Sequence, residues 1–162
     1  MNYKINSLMG KRLNGSNIIT FCNNVKLETR LQDILNEDIV NQEGLVLLNH
    51  FKHNLKNTNY PDATGQEMFV NKFHVDIDSK GNKKDSAKHF LQQAIVFSLS
   101  LHDKLINAYP NKHFNIIILT DEGPDSYPDV CTVGFHTIRP NEHWLTENLE
   151  DYKTNGLLVI TV

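Results

Sequence analysis

Residues 85–109 read DSAKHFLQQAIVFSLSLHDKLINAY, without a proline or glycine, and this stretch constrains the fold more than any other. Phe90, Ala94, Phe97, Leu101 and Leu105 recur at helical spacing, and Leu91, Ile95, Val96 and Leu99 widen their stripe nearly all the way round. A helix that is apolar on most sides is buried on most sides. The segment therefore predicts a long central helix, with Asp85 or Ser86 placed to cap it and Pro110 to stop it.

A helix of that kind needs a sheet to pack on. Residues 115–119 (NIIIL) form a continuous apolar run, as expected of an interior strand. Residues 130–138 predict a second strand with Cys131, Val133 and Phe135 on one face. Asn155-Gly156 breaks the chain ahead of a last strand over 157–162. Nearer the start, residues 17–22 are rich in β-branched side chains and predict a short strand. Asn24 is placed to cap a helix whose Leu27, Leu31, Ile34 and Leu35 share one face.

Residues 42–56 fit a helix through Leu48, Phe51 and Leu55, although Leu45-Val46-Leu47-Leu48 also suits a buried strand; the helix is preferred. Residues 68–77 predict a strand, with Phe69, Asn71, Phe73, Val75 and Ile77 pointing one way. Pro140-Asn141-Glu142 leads into a short helix carrying Trp144, Leu145 and Leu149. The order β-α-α-β-α-β-β-α-β predicts an α+β or mixed α/β fold: a single sheet of about five strands, a long buried central helix and two or three further helices. With 162 residues and neither repeats nor low-complexity tracts, residues 1–162 are expected to form one globular domain. The 20 asparagines point to polar loops and caps rather than to a function.

Charge is unevenly spread. Residues 1–115 hold 14 Lys/Arg against 11 Asp/Glu, whereas residues 116–162 hold 2 against 8. A field of that sign repels nucleic acid and anionic membrane and attracts a basic protein. No stretch approaches the ~20 apolar residues that span a bilayer, and the first fifteen residues lack the apolar core of a signal peptide. Two cysteines far apart, Cys22 and Cys131, do not make a disulfide framework, so a reducing, cytoplasmic location is expected.

Four constellations bear on chemistry. His50 and His53 lie three apart, and His74, Asp76 and Asp78 alternate along an expected strand; His50, His53, His74 and Asp76 together would suit zinc or another divalent metal in a hydrolase-like enzyme. Asp76 to Asn82 partly matches a calcium loop, but Lys80 and Ala87 occupy ligand positions, so a tight turn at Gly81 is the better reading and no cofactor is expected. Cys131 and His136, five apart on one strand, should point to opposite faces and cannot act as nucleophile and base. There is no nucleophile elbow, phosphate loop or dinucleotide fingerprint.

The fourth is acidic. Asp121 and Glu122 follow the interior strand and would act with His136 or His143 as acid and base in a catalytic reading. In a binding reading, Asp121, Glu122, Asp125 and Asp129 present negative charge, and Glu142, Glu147, Glu150 and Asp151 extend it. Tyr127 and Trp144 would supply aromatic anchors, although Trp144 equally suits a core. Carboxylates spread over thirty residues make a field more readily than a dyad, so binding is preferred. The profile is that of a non-catalytic module of the immunity or antitoxin type, neutralising a basic toxin. Self-association through strand 130–138 or 157–162 at a sheet edge is a further possibility.

Overall fold

In the computed structural model, residues 1–75, 83–121 and 130–162 are described. The fold is α+β. Its centre is an antiparallel five-stranded sheet, ordered β1-β7-β5-β6-β4, built from β1 (Asn2–Ile5), β4 (Phe73–His74), β5 (Phe114–Asp121), β6 (Val130–Thr137) and β7 (Asn155–Thr161). A separate antiparallel pair joins β2 (Ile39–Gln42) to β3 (Leu45–Leu48). Strand β5 pairs with β6 on one side and with β7 on the other along its whole length. The continuous apolar run at 115–119 therefore sits where a strand buried on both faces belongs.

Helix α5 (Lys83–Ala108) covers one face of the sheet. Phe90, Leu91, Ala94, Ile95, Phe97, Leu101 and Leu105 are buried against Phe114, Ile116, Ile118, Val133, Phe135, Leu158 and Ile160. The apolar girth read from the sequence is filled from a second side by α3 (Thr29–Asn36), through Leu31, Ile34 and Leu35. Buried Gln93 fastens the loop ahead of α3, accepting from Glu28 N at 2.9 Å and donating to Lys26 O at 2.8 Å. Such pairing offsets the cost of burying an amide among aliphatic side chains.

The opposite face carries Ile117, Leu157 and Val159. It is covered by α4 (Ala63–Asn71), through Met68, and by the irregular segment 139–152, through Trp144, Leu145, Leu149 and Tyr152. Close packing of α4 depends on Gly134, where an added Cβ would lie 2.5 Å from Met68 Cε and 3.3 Å from Lys72 Cα.

Several local expectations are corrected. Residues 17–22 hold a short helix, α2 (Ile18–Phe21), capped by Asn17, whose side chain accepts from Thr20 N at 2.8 Å. Asn24 does not cap α3: it adopts a left-handed φ of 62°, and Glu28 stands at the N-cap. Residues 42–56 are not an α-helix; the strand β3 is followed by a 3-10 helix, Asn49–Asn57. Of the expected strand 68–77, residues 68–71 are the end of α4, which Asp62 caps through Gly65 N at 2.6 Å, Phe73–His74 join the sheet, and residues 76–77 lie outside the described residues. No α-helix forms over 142–149; a 3-10 turn, Leu149–Asp151, closes that segment. Helix α5 begins at Lys83, ahead of the expected cap at Asp85 or Ser86, and Tyr109 N still reaches Leu105 O before Pro110 ends it. Three elements had no counterpart in the sequence reading, β1, α1 (Ser7–Arg12) and β2.

The strands proposed for self-pairing have both sides occupied: β7 lies between β1 and β5, and β6 has β5 on one side and, on the other, β4 followed by side chains of α4. Among the described residues no helix is long and apolar enough to cross a membrane.

Candidate functional site

Half of β6 has no neighbouring strand on its outer side, because β4 pairs only with Thr132 and Val133. Helix α4 takes the missing strand's place with two side chains one turn apart. Glu67 Oε2 accepts from Thr137 N at 2.5 Å, and Asn71 Nδ2 donates to Phe135 O at 3.2 Å. The same two residues reach the edge of β3. Glu67 Oε1 accepts from Val46 N at 2.7 Å, and Asn71 bonds both Leu48 N and Val46 O at 2.9 Å.

Glu67 and Asn71 are fully buried. A carboxylate there requires a countercharge, and Arg139, at the end of β6, supplies it with Nη2–Oε1 2.6 Å and Nη1–Oε2 3.0 Å. Burial works against the Arg139 charge, but the bond to Glu67 and the charges of Glu67, Glu142 and Asp62 together outweigh it and hold the guanidinium pKa above its usual value.

Beyond Arg139 the chain crosses the outer face of the sheet and leaves a depression of about 220 Å³. Its floor is a row of polar side chains in register across three strands: His136 opposite Asn115, and Asn115 opposite Thr161. Thr161 Oγ1 donates to Asn115 Oδ1 at 3.2 Å. His136 is 4% exposed, and its Nδ1 lies 2.9 Å from Thr137 O. The proton on that contact must sit on Nδ1, which leaves a lone pair on Nε2. Burial lowers the His136 pKa despite the opposing backbone bond, so the ring stays neutral. Lys4, Glu142, Trp144 and Glu147 form the walls and rim.

The walls are fastened although they lack regular structure. Glu142 Oε2 accepts from Thr64 N at 2.8 Å, and hydrogen bonding to the side chain and then the backbone of Thr64 lowers the carboxyl pKa. Trp144 is half-buried, packing on the outer-face cluster and lying 5.5 Å from the Tyr60 ring, so it is both core and lining. Thr146 N donates to Tyr152 Oη at 3.2 Å, and Glu150 Oε1 accepts from Ser7 N at 2.7 Å and Ser7 Oγ at 2.9 Å.

The acidic residues singled out from the sequence therefore divide. Glu142, Trp144 and Glu147 come together at the depression. Glu150 is spent on the start of α1, and Asp151 Oδ1 accepts from Asn148 at 3.0 Å. Asp121 ends β5 opposite Val130 and Asn155, roughly 20 Å along the strand from Asn115. It is too far from His136 for the two to act as acid and base. Glu122, Asp125, Tyr127 and Asp129 lie outside the described residues.

The metal ligands fare differently. His50 and His53 share a face of the 3-10 helix, but His50 Nδ1 is 2.6 Å from Glu37 Oε1, which lowers the Glu37 pKa. Phe73 stacks on Phe51 at 5.2 Å in the core, so its strand neighbour His74 points to the other face, where Nδ1 meets Thr132 Oγ1 at 3.1 Å. Asp76 and Asp78 lie outside the described residues. Among the described residues no three His, Cys, Asp or Glu side chains gather as a metal would require.

Cys131 faces α5 while His136 faces outward, as the alternation predicts. Burial raises the Cys22 thiol to about 11 and the Cys131 thiol to about 12, and neither is a nucleophile at those values. The sequence reading passed over Glu67 and Asn71, because their i, i+4 spacing shows only once 63–71 is seen to be helical. It also passed over Lys4 and Asn115, whose neighbours are set by strand order.

The chain belongs to the Uncharacterized protein PM0498 family, whose model matches residues 4–161. No curated protein and no solved structure matches it.

Proposed function

We propose that this family member is a non-catalytic cytoplasmic module that binds a basic protein, in the manner of an immunity protein or antitoxin masking the cationic site of a toxin. The observation that carries the reading is the placing of Glu142, Trp144 and Glu147 around one depression, on a segment tied to the scaffold at Thr64 and Ser7 and braced internally by Tyr152. Binding surfaces gain affinity when their loops are ordered beforehand, and a half-buried tryptophan flanked by carboxylates suits a cationic partner. The inertness of both buried thiols and the separation of Asp121 from His136 favour binding over catalysis.

Co-purification with the product of the adjacent reading frame, followed by calorimetry at 50 and 500 mM salt, tests the proposal. The expected result is affinity that falls with salt, and a Trp144→Ala variant that loses at least ~2 kcal/mol, the scale of an interface hot spot. Affinity unchanged over that tenfold range of salt would remove the electrostatic argument. A stoichiometric zinc or manganese content with a matching thermal shift would favour a metal-dependent hydrolase instead.

A further inference from the structure

We infer that the depression receives one arginine side chain of the bound protein, an inference that rests on the protein-binding reading. Size comes first. At about 220 Å³ the space falls below the ~300 Å³ at which pockets for cofactors and drug-sized molecules begin. It suits a single long side chain.

Polarity comes next. His136 is nine-tenths buried or more and lines the depression, and among the described residues its Nε2 finds no partner. That nitrogen is not sealed off from the depression, so its lone pair can accept an N–H or O–H that a ligand brings. Glu142 bonds to Thr64 and, with about four lone-pair sites on its two oxygens, keeps acceptor capacity, and Glu147 stands exposed at the rim.

Charge decides the sign. The charged side chains at the site are Lys4, Arg139, Glu142 and Glu147. Arg139 is neutralised from behind by Glu67, which leaves one exposed lysine against two carboxylates. A cation is favoured over an anion.

Shape selects arginine over lysine. A planar guanidinium offers several donors in a fixed fork and stacks on an indole, whereas an ammonium is a compact, strongly hydrated point charge. Here the fork would span His136 Nε2 and Glu142, with Trp144 beside it and Ile138 and Val159 along the aliphatic stem.

Trp144 is the only tryptophan, so its emission reports on this site without a label. The full chain is titrated with N-acetyl-arginine methylamide and, separately, with N-acetyl-citrulline methylamide, which keeps the shape and removes the charge. We expect a saturable change with the arginine compound, at least tenfold weaker with citrulline. Binding should weaken several-fold in Glu147→Gln, an exposed substitution that leaves the fold alone. Ring-proton resonances of His136 should shift on the same binding curve. Equal responses to both compounds, no saturable response, or a response that leaves His136 unmoved would overturn the inference. Capture of a basic partner by a chain that shows no arginine response overturns the inference and leaves the module reading standing. An arginine response in a chain that masks no basic protein overturns that reading alone.

Discussion

Glu67 has no exposed surface and is bonded to Val46 N, Thr137 N, Thr137 Oγ1 and Arg139. Glu67→Gln keeps the size of the side chain but strands the half-buried guanidinium without its countercharge. Removing one partner of a buried ion pair costs about 3–5 kcal/mol, and urea denaturation should show a loss of that size. Glu150→Gln alters an exposed carboxylate at the start of α1 and should cost about 1 kcal/mol, like other helix-end contacts. Equal losses for the two variants would mean that the Glu67 network does not hold β3 and β6 together. Asparagine acts at this scale too. Asn6, Asn17 and Asn148 cap helical turns, and Asn14, Asn24 and Asn141 take left-handed φ. The abundance of this residue type was a correct sign of caps and turns, because its short amide bonds locally and tolerates that backbone region.

At the scale of elements, protection should follow pairing. Strand β5 is paired on both sides and buried on both faces, whereas β1 is an exposed edge strand and β4 contributes two residues. Hydrogen exchange followed by mass spectrometry should find amides of β5 and the middle of α5 opening last, and those of β1 first. Uniform exchange across the sheet would show that it opens as a unit. The same contrast explains which elements were legible. α5, β5, β6 and β7 carry long apolar patterns that their burial requires. Residues 63–71 were misread because α4 is buried on nearly every side yet holds Glu67 and Asn71 inside, so polar residues interrupt the apolar stripe of a helix. The alternation through Phe69, Asn71 and Phe73 then mimics a strand. Segment 139–151 was misread for the opposite reason. Trp144, Leu145 and Leu149 bury themselves on the sheet without a helix, past Pro140 and a left-handed Asn141.

For the whole molecule, the depressed His136 pKa makes stability depend on pH. The unfolded chain takes up a proton on this histidine near its ordinary value of about 6.5, while the folded chain resists until a lower pH. The unfolded state therefore binds more protons in that window, and stability falls on acidification from about pH 6.5 downward, with a slope of at most about 1.4 kcal/mol per pH unit. Glu37 and Glu142, whose folded pKa values are lowered, add their loss only further down, as the pH drops through the carboxylate range. Urea midpoints at pH 7.5, 6.0 and 5.0 should show the first phase in the parent chain and its absence in His136→Gln. Identical profiles for the two would sink the assignment. The site combines parts of differing legibility. Glu142, Trp144 and Glu147 stand close together in the chain, and their charge and aromatic character were visible there. His136 was read onto the outer face of β6, but Lys4 and Asn115 join it only because β1, β7 and β5 are neighbours.

The amino-acid order alone determined the α+β class, the long buried helix, the three central strands and the acidity of the last third, because each is a periodicity or a sum along the chain. Tertiary structure alone decided which carboxylates share one depression, that Glu67 and Asn71 complete the edges of two strands, and that a buried histidine lines the same depression as Trp144. Those outcomes depend on strand order and on side chains meeting across sequence separations of 21 to 72 residues, as at Glu67. No local pattern encodes which distant partner a buried polar group will find.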